Sequence, residues 1–235
     1  MYEIAPVLAA LDAHRWQVIL LCGVAMACNY TWFIAAVRRG LRDQTVPIPV
    51  FCTLFWLAGD ASMVVRWERW FHEIDHWYVK LFWAALVLTV MCELVFLRLT
   101  LRFGRKELAP TLSQPQFTAL LFAGLATMGL AFELIHGWIG DPLYINYFHL
   151  ANLVGPAFAA PMVLRRGTRA GTSPLIWGAY TAMVAAWFTA TALWFGGAFA
   201  TPGHLALYAL CTASAAGMTL LVRRMPEVAD ARGAA

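Results

Sequence analysis

The sequence predicts an all-α protein, a bundle of seven membrane-spanning helices with the N-terminus outside and the C-terminus in the cytoplasm. Three observations carry this expectation. Charged residues come in short bursts such as Arg38-Arg39, Arg165-Arg166 and Arg223-Arg224. Between the bursts run seven apolar stretches of about twenty residues, the length a helix needs to cross a hydrocarbon layer roughly 30 Å thick. The chain is 61% hydrophobic and 13% charged, with a mean hydropathy of +0.65, outside the usual range of soluble domains. The basic residues are also unevenly placed. Of the 17 Lys and Arg, thirteen fall at one end of the expected spans (Arg38, Arg39, Arg42, Arg98, Arg102, Arg105, Lys106, Arg165, Arg166, Arg169, Arg223, Arg224 and Arg232). Only Arg15, Arg66, Arg69 and Lys80 fall at the other. The positive-inside rule puts the thirteen in the cytoplasm.

In chain order, the spans are expected at 16–37, 46–65, 77–97, 117–139, 143–164, 174–196 and 203–222. The first ends in arginines and has no basic region before it, so it is expected to remain rather than be removed as a signal peptide. Pro47 and Pro49, Pro110 and Pro115, Pro142, Pro174 and Pro202 mark breaks, because proline cannot donate inside a helix. The segment 4–11 is apolar but too short to cross and is expected at the interface. Spans and loops fill one domain, 1–224, and the small, polar tail 225–235 is expected to be a disordered cytoplasmic end. The expected location is a cell inner or plasma membrane, multi-pass, with the lipid bilayer as partner.

Several classes are disfavoured. The net charge of +4 sits at the span ends, as topology requires, so nucleic acid is not an expected partner. No internal repeat is visible, and an odd number of spans argues against transporters built from repeated halves. A retinal protein needs a lysine midway along the last span, and the only lysines are Lys80 and Lys106. Cys22, Cys28, Cys52, Cys92 and Cys211 all fall in spans with no CxxC pair, and read as small apolar fillers. Asn29-Tyr30-Thr31 matches a glycosylation pattern, but inside a span, out of reach of modification.

Polar groups inside the spans are the functional candidates, because lipid makes them costly. Asp60, Glu133, His136 and His149 lie near the outer side, with Asn152 one turn deeper. Glu133 and His136 share a helix face, as do His149 and Asn152, at a spacing of three. The loop between these two helices is short, so they are expected to be antiparallel neighbours on which the side chains converge. Glu93 stands apart, in the inner third of its span. The alternative is that such groups hydrogen-bond between helices and fix packing. A carboxyl group facing lipid must be paired, protonated or in a wet cavity, and a protonated one is a proton donor. His14, His72, His76, His136, His149 and His204 all map to the outer half or beyond it, which leaves room for an outward-facing metal or haem site.

His72-Glu73-Ile74-Asp75-His76 has the HExxH form, in which two histidines one turn apart bind zinc and the glutamate activates water. It carries an acid between the histidines, lacks an obvious third ligand nearby and is flanked by Trp67, Trp70, Trp77 and Tyr78, as an interfacial segment would be. On the sixth span Trp177, Tyr180, Trp187 and Trp194 form a stripe at helical spacing that faces either lipid or a cavity. An aromatic cavity stabilises a cation through its ring faces.

The stretch Asn29-Tyr30, Arg38-Arg39, Asp43-Gln44-Thr45, Pro47, Cys52, Trp56 and Asp60 resembles the transmembrane terpene cyclases of fungal meroterpenoid pathways and their bacterial relatives. The resemblance covers about a fifth of the chain. The family's Trp-Glu stands here as Gly59-Asp60, and its acid in the last helix has no counterpart in residues 210–215. The resemblance implies a seven-helix fold and a polyprenyl-type substrate. Asp60 would then protonate an alkene or epoxide, with Glu133 or His149 as the final base and no cofactor. Trp56, Asn29, Tyr30, His136, Asn152 and Trp187 are the residues expected to hold the hydrophobic small molecule. A lipid isomerase would need the same parts. Two other readings remain open: a non-enzymatic sensor, carrier or accessory subunit that binds a small ligand or metal, and a zinc hydrolase using His72, Glu73 and His76.

Overall fold

The computed structural model describes residues 2–228. The expectation of a disordered tail over 225–235 therefore lies mostly outside the described residues. Its first part is anchored: Arg169 donates its backbone N–H to Pro226 O at 2.9 Å and its guanidinium to Glu227 at 2.9 Å.

The described residues form nine α-helices and no strand. They are α1 (Ile4–Ala13), α2 (Arg15–Asp43), α3 (Val50–Val65), α4 (Trp77–Leu99), α5 (Arg105–Leu108), α6 (Gln114–Ile139), α7 (Ile145–Arg166), α8 (Pro174–Trp194) and α9 (Pro202–Arg224). A π-helical turn at Arg69–Glu73 follows α3, and another at Thr100–Gly104 joins α4 to α5. Six helices are long and apolar enough to cross a membrane: α2, α4 continued through α5, α6, α7, α8 and α9.

The second expected span, 46–65, is the one that differs. The helix there is α3, only 16 residues long, about 24 Å at 1.5 Å per residue. Pro47 and Pro49 keep the chain out of the helix until Val50, since neither donates a backbone hydrogen bond. Other ends follow local chemistry. At the start of α6, Ser113 accepts from Gln116 N while the Gln116 side chain takes Ser113 N, a capping box. Ser173 and Thr201 cap α8 and α9 by accepting from Ile176 N and His204 N, each one residue before a proline. Gly140 and Gly167 close α6 and α7 at φ of 62° and 64°, a conformation glycine adopts without strain.

The packing order differs from the chain order. α2 packs against α8, α8 against α9, and α9 against α7. α3 meets α4, α6 and α7, and α4 returns to α2. Six helices thus surround a centre, and α6 leans on the outside of α3. α6 and α7, expected to be antiparallel neighbours, have almost no contact of their own along their length, because α3 stands between them.

α1 lies across one end of the bundle, with Val7 and Leu11 buried. Tyr2 donates its hydroxyl to Asp141 Oδ1 at 2.7 Å and accepts Leu143 N at 3.0 Å. Burial and the neighbouring Asp141 carboxylate raise the pKa of the Tyr2 phenol. At the far end of α1, Trp77 donates its indole N–H to Asp12 at 2.7 Å, with His76 Nε2 3.1 Å away. The Trp77 hydrogen bond, helped by His76, holds the Asp12 carboxyl below the usual carboxylate range.

Candidate functional site

The centre of the bundle is a cavity of about 100 Å³ walled by α2, α3, α4, α7 and α8. Helical spacing explains which residues reach it. On α4, Phe82, Leu86, Thr89 and Glu93 recur at intervals of four, three and four and fall on one face. Trp56 and Asp60 are one turn apart on α3, and Tyr180, Met183 and Trp187 recur on α8. Three members of the aromatic stripe on α8, Trp177, Tyr180 and Trp187, are buried, so the stripe faces inward rather than toward lipid.

A proline organises one wall. Pro156 in the middle of α7 has no N–H, which leaves the Asn152 carbonyl without its helical donor. Tyr180 supplies a replacement by donating its hydroxyl to Asn152 O at 3.0 Å, and the Trp56 indole donates to Ala151 O at 3.1 Å. Both rings reach the backbone because residue 155 is glycine. A Cβ there would lie 2.6 Å from the Tyr180 hydroxyl and 3.2 Å from the Trp56 ring. The carbonyl freed at Pro156 and the missing side chain at Gly155 thus fix two aromatic walls of the cavity.

Two carboxyl groups open on this space. Asp60 is 5% exposed, and its Oδ1 accepts from the Tyr147 hydroxyl at 3.2 Å. Gly59 makes that approach possible, since a Cβ at 59 would lie 2.6 Å from Tyr147 Cε2 and closer still to its Cζ and hydroxyl. Glu93 is 1% exposed, and its Oε2 has no hydrogen-bond partner among the described residues. Neither acid pairs with a cation among the described residues. Two further buried polar atoms of the cavity residues, Trp32 Nε1 and Trp187 Nε1, also lack partners. Buried polar atoms are nearly always satisfied, so an acceptor and two donors left without partners on residues that wall one apolar cavity set it apart from an ordinary packed core.

The other expected site residues divide. Asn29, Trp56, Asn152 and Trp187 line the cavity with Asp60, although the Asn152 amide is tied to Phe148 O of its own helix at 2.7 Å. Tyr30 does not line it; it donates to Ala85 O at 2.8 Å and ties α2 to α4. Glu133 is on the peripheral helix α6, with its side chain 45% exposed, ion-paired to Arg66 and accepting from Ser62 Oγ at 2.6 Å. His136 meets Asp141 O at 2.8 Å and lies against Tyr144 at the end of the bundle. His149 is buried, but on the side of α7 that faces α9, 3.4 Å from the Tyr208 hydroxyl and beside His204. The expected convergence of Asp60, Glu133, His136 and His149 does not occur, because α3 separates α6 from α7. Glu93, set apart in sequence, shares the cavity with Asp60 instead. Its signal was present: Phe82, Leu86 and Thr89 precede it on the same face.

The HExxH segment is not a continuous helix. The π-helical turn ends at Glu73, and Asp75 has a φ of 47°. His72 packs against Trp67, while His76 uses Nδ1 to accept from Tyr78 N and Nε2 to face Asp12. The two rings therefore do not present one turn of regular helix to a common point, and no group of three His, Cys, Asp or Glu side chains suited to a metal ion occurs among the described residues.

No protein-family model, curated protein or solved structure matches this chain. The chemistry of the cavity must be read from its own residues. An apolar space with aromatic walls and two carboxyl groups suits proton transfer to and from a hydrophobic molecule, where water would otherwise capture a cationic intermediate.

Proposed function

We propose that the chain is a membrane enzyme that starts the cyclisation or isomerisation of an isoprenoid or similar lipid by protonating it, with Asp60 and Glu93 as the acid–base pair. The observation that carries this is the placement of both acids, with no cation beside them among the described residues, in one aromatic cavity. The resemblance of residues 29–60 to the transmembrane terpene cyclases adds to it, and Glu93 stands in for the second acid that the last helix lacks. We take α3 as a seventh span despite its length, with the N-terminus outside and the Arg-rich ends in a plasma or inner-membrane cytoplasm.

In this scheme the two carboxyl groups share one proton. Asp60 gives it to an alkene carbon or an epoxide oxygen, and the carbocation that forms is attacked by an internal double bond. The faces of Trp56, Trp187 and Tyr180 stabilise the charge. Glu93 removes the final proton as the new double bond closes, and the proton returns across the pair, so no cofactor is consumed. The cavity is small beside the roughly 300–1,000 Å³ of usual ligand sites. Met26 and Met183, unbranched and adaptable, are the wall residues that move aside for a longer chain.

The test is turnover of polyprenyl alkenes and epoxides by vesicles containing the protein, read by mass spectrometry. Asp60→Asn and Glu93→Gln are each expected to lose about 100-fold or more, the usual weight of a general acid or base, while Glu133→Gln keeps activity. Equal turnover by all three variants would remove the acid pair from the chemistry. A second reading, a non-enzymatic binder of a small hydrophobic ligand, is favoured by the unpartnered indole N–H groups of Trp32 and Trp187. It is supported if a ligand binds in the cavity and leaves unchanged.

A further inference from the structure

The Arg-rich end of the bundle carries two hollows that meet. One is an open groove of about 580 Å³ between α6 and α7, floored by Val50 and Leu54 of α3. At the other end of the two helices Phe132 packs edge-on against Tyr147 at 4.8 Å. Its walls are apolar: Phe117 and Leu121 are buried, while Leu120 and Phe158 are 59% and 43% exposed. The other hollow is a cleft of about 670 Å³ lined by Arg102, Lys106, Arg165 and Arg166, with Glu107 as its only acid among the described residues. Arg165 and Arg166 line both hollows.

The charges in the cleft are not equivalent. Arg166 is a structural residue, holding Glu107 at 2.8 Å, Val46 O at 2.8 Å and Ala170 O at 2.9 Å. Those contacts neutralise Glu107 and close the loop before α8. Arg165 reaches Glu107 only at 3.3 Å, and its side chain is 59% exposed. Arg102 and Lys106 are exposed and make no ion pair among the described residues. The cleft therefore presents three cations beyond the Arg166–Glu107 pair, at the mouth of an apolar groove of about 580 Å³.

We infer that this end of the bundle is a binding site for an anionic phospholipid, with one acyl chain in the α6–α7 groove and the headgroup phosphate between Arg165, Arg102 and Lys106. Charge complementarity selects the occupant: the groove alone takes any acyl chain, and the cations favour a net negative head over a zwitterionic one. The site rests on the membrane reading of the helices and not on the acid pair. It lies on the far side of α3 from the cavity, and the two stand or fall separately.

The test uses the full chain purified in mild detergent, with bound lipid counted by native mass spectrometry. Phosphatidylglycerol and phosphatidylcholine of matched chains are compared. The expected result is tighter binding of phosphatidylglycerol by roughly fivefold or more, a preference that the triple variant Arg102→Gln, Lys106→Gln, Arg165→Gln loses. Gly124→Phe fills the groove, since a Cβ at 124 already lies 3.1 Å from Leu54 Cδ1, and is expected to weaken binding of both lipids. Free glycerol phosphate is expected not to displace the lipid. Equal binding of the two lipids, a preference that survives the triple variant, or full displacement by free glycerol phosphate each overturns the site. Elution volume and Tm of each variant separate loss of the site from loss of the fold.

Discussion

Gly59→Ala is the sharpest single test of the geometry around Asp60. The added methyl would sit 2.6 Å from Tyr147 Cε2 and nearer to its Cζ and hydroxyl. Tyr147 has little room to retreat, being 7% exposed and packed among Phe55, Phe132 and Phe148 at centroid distances of 5.6, 4.8 and 4.9 Å. Overpacking of this kind costs about 1–3 kcal/mol. Losing the hydrogen bond from Tyr147 to Asp60 adds about 0.5–1.5 kcal/mol. Replacing a helical glycine by alanine gives back about 1 kcal/mol. The net is a destabilisation of about 0.5–3.5 kcal/mol, or a fall in Tm of roughly 1–14 °C for a chain this size. The assay is thermal unfolding in detergent, with Gly129→Ala as control, because a Cβ at 129 meets nothing within 4 Å. The control is expected to be neutral or slightly stabilising. Gly59→Ala combined with Tyr147→Leu is expected to be less destabilised than the two single variants added together. A Gly59→Ala protein as stable as the Gly129→Ala control would refute the close approach of Tyr147 to α3.

Two other outcomes follow from the same contacts. Pro156→Ala restores a backbone donor for Asn152 O, so Tyr180→Phe is expected to cost about 1 kcal/mol less in that background than in the wild type, read by a double-mutant cycle in Tm. The Asp12 carboxyl is held below its usual range by Trp77 and His76, so its contribution is present above the unfolded-state pKa and is lost as pH falls through the lower folded-state value. The Tm difference between wild type and Asp12→Asn is therefore expected to be clear at neutral pH and to close in acid.

Much of the fold was legible because hydropathy and proline are local signals. Six of the apolar stretches are long helices, and the proline-marked starts of α8 and α9 fall at Pro174 and Pro202. The length of the second span was not legible, because the same Pro47 and Pro49 that marked a break also removed four residues from the expected start at 46. Which helices adjoin was harder still. A short loop between α6 and α7 implied a neighbouring pair, but contact along helices depends on what packs between them, and there α3 intervenes. That pairing put Glu133 and His149 beside Asp60, while Glu93 was set apart by its depth in the inner third of its span, although it shares a face with Phe82, Leu86 and Thr89. Asp60 was recoverable from burial cost and Trp187 from helical spacing, whereas Trp56 came in through the resemblance of residues 29–60. Tyr147 was not, since its role depends on the missing side chain at Gly59.

The central claim is that Asp60 and Glu93, 5% and 1% exposed, open on one apolar cavity rather than on bulk water. Carbodiimide labelling in lipid vesicles, mapped by peptide mass spectrometry, tests this directly, with the exposed Glu68 and Glu73 as internal references. The expected result is that a lipid-soluble carbodiimide modifies Asp60 or Glu93 while a water-soluble one modifies only the references. Modification of Asp60 and Glu93 by the water-soluble reagent at the rate of Glu68 and Glu73 would contradict it.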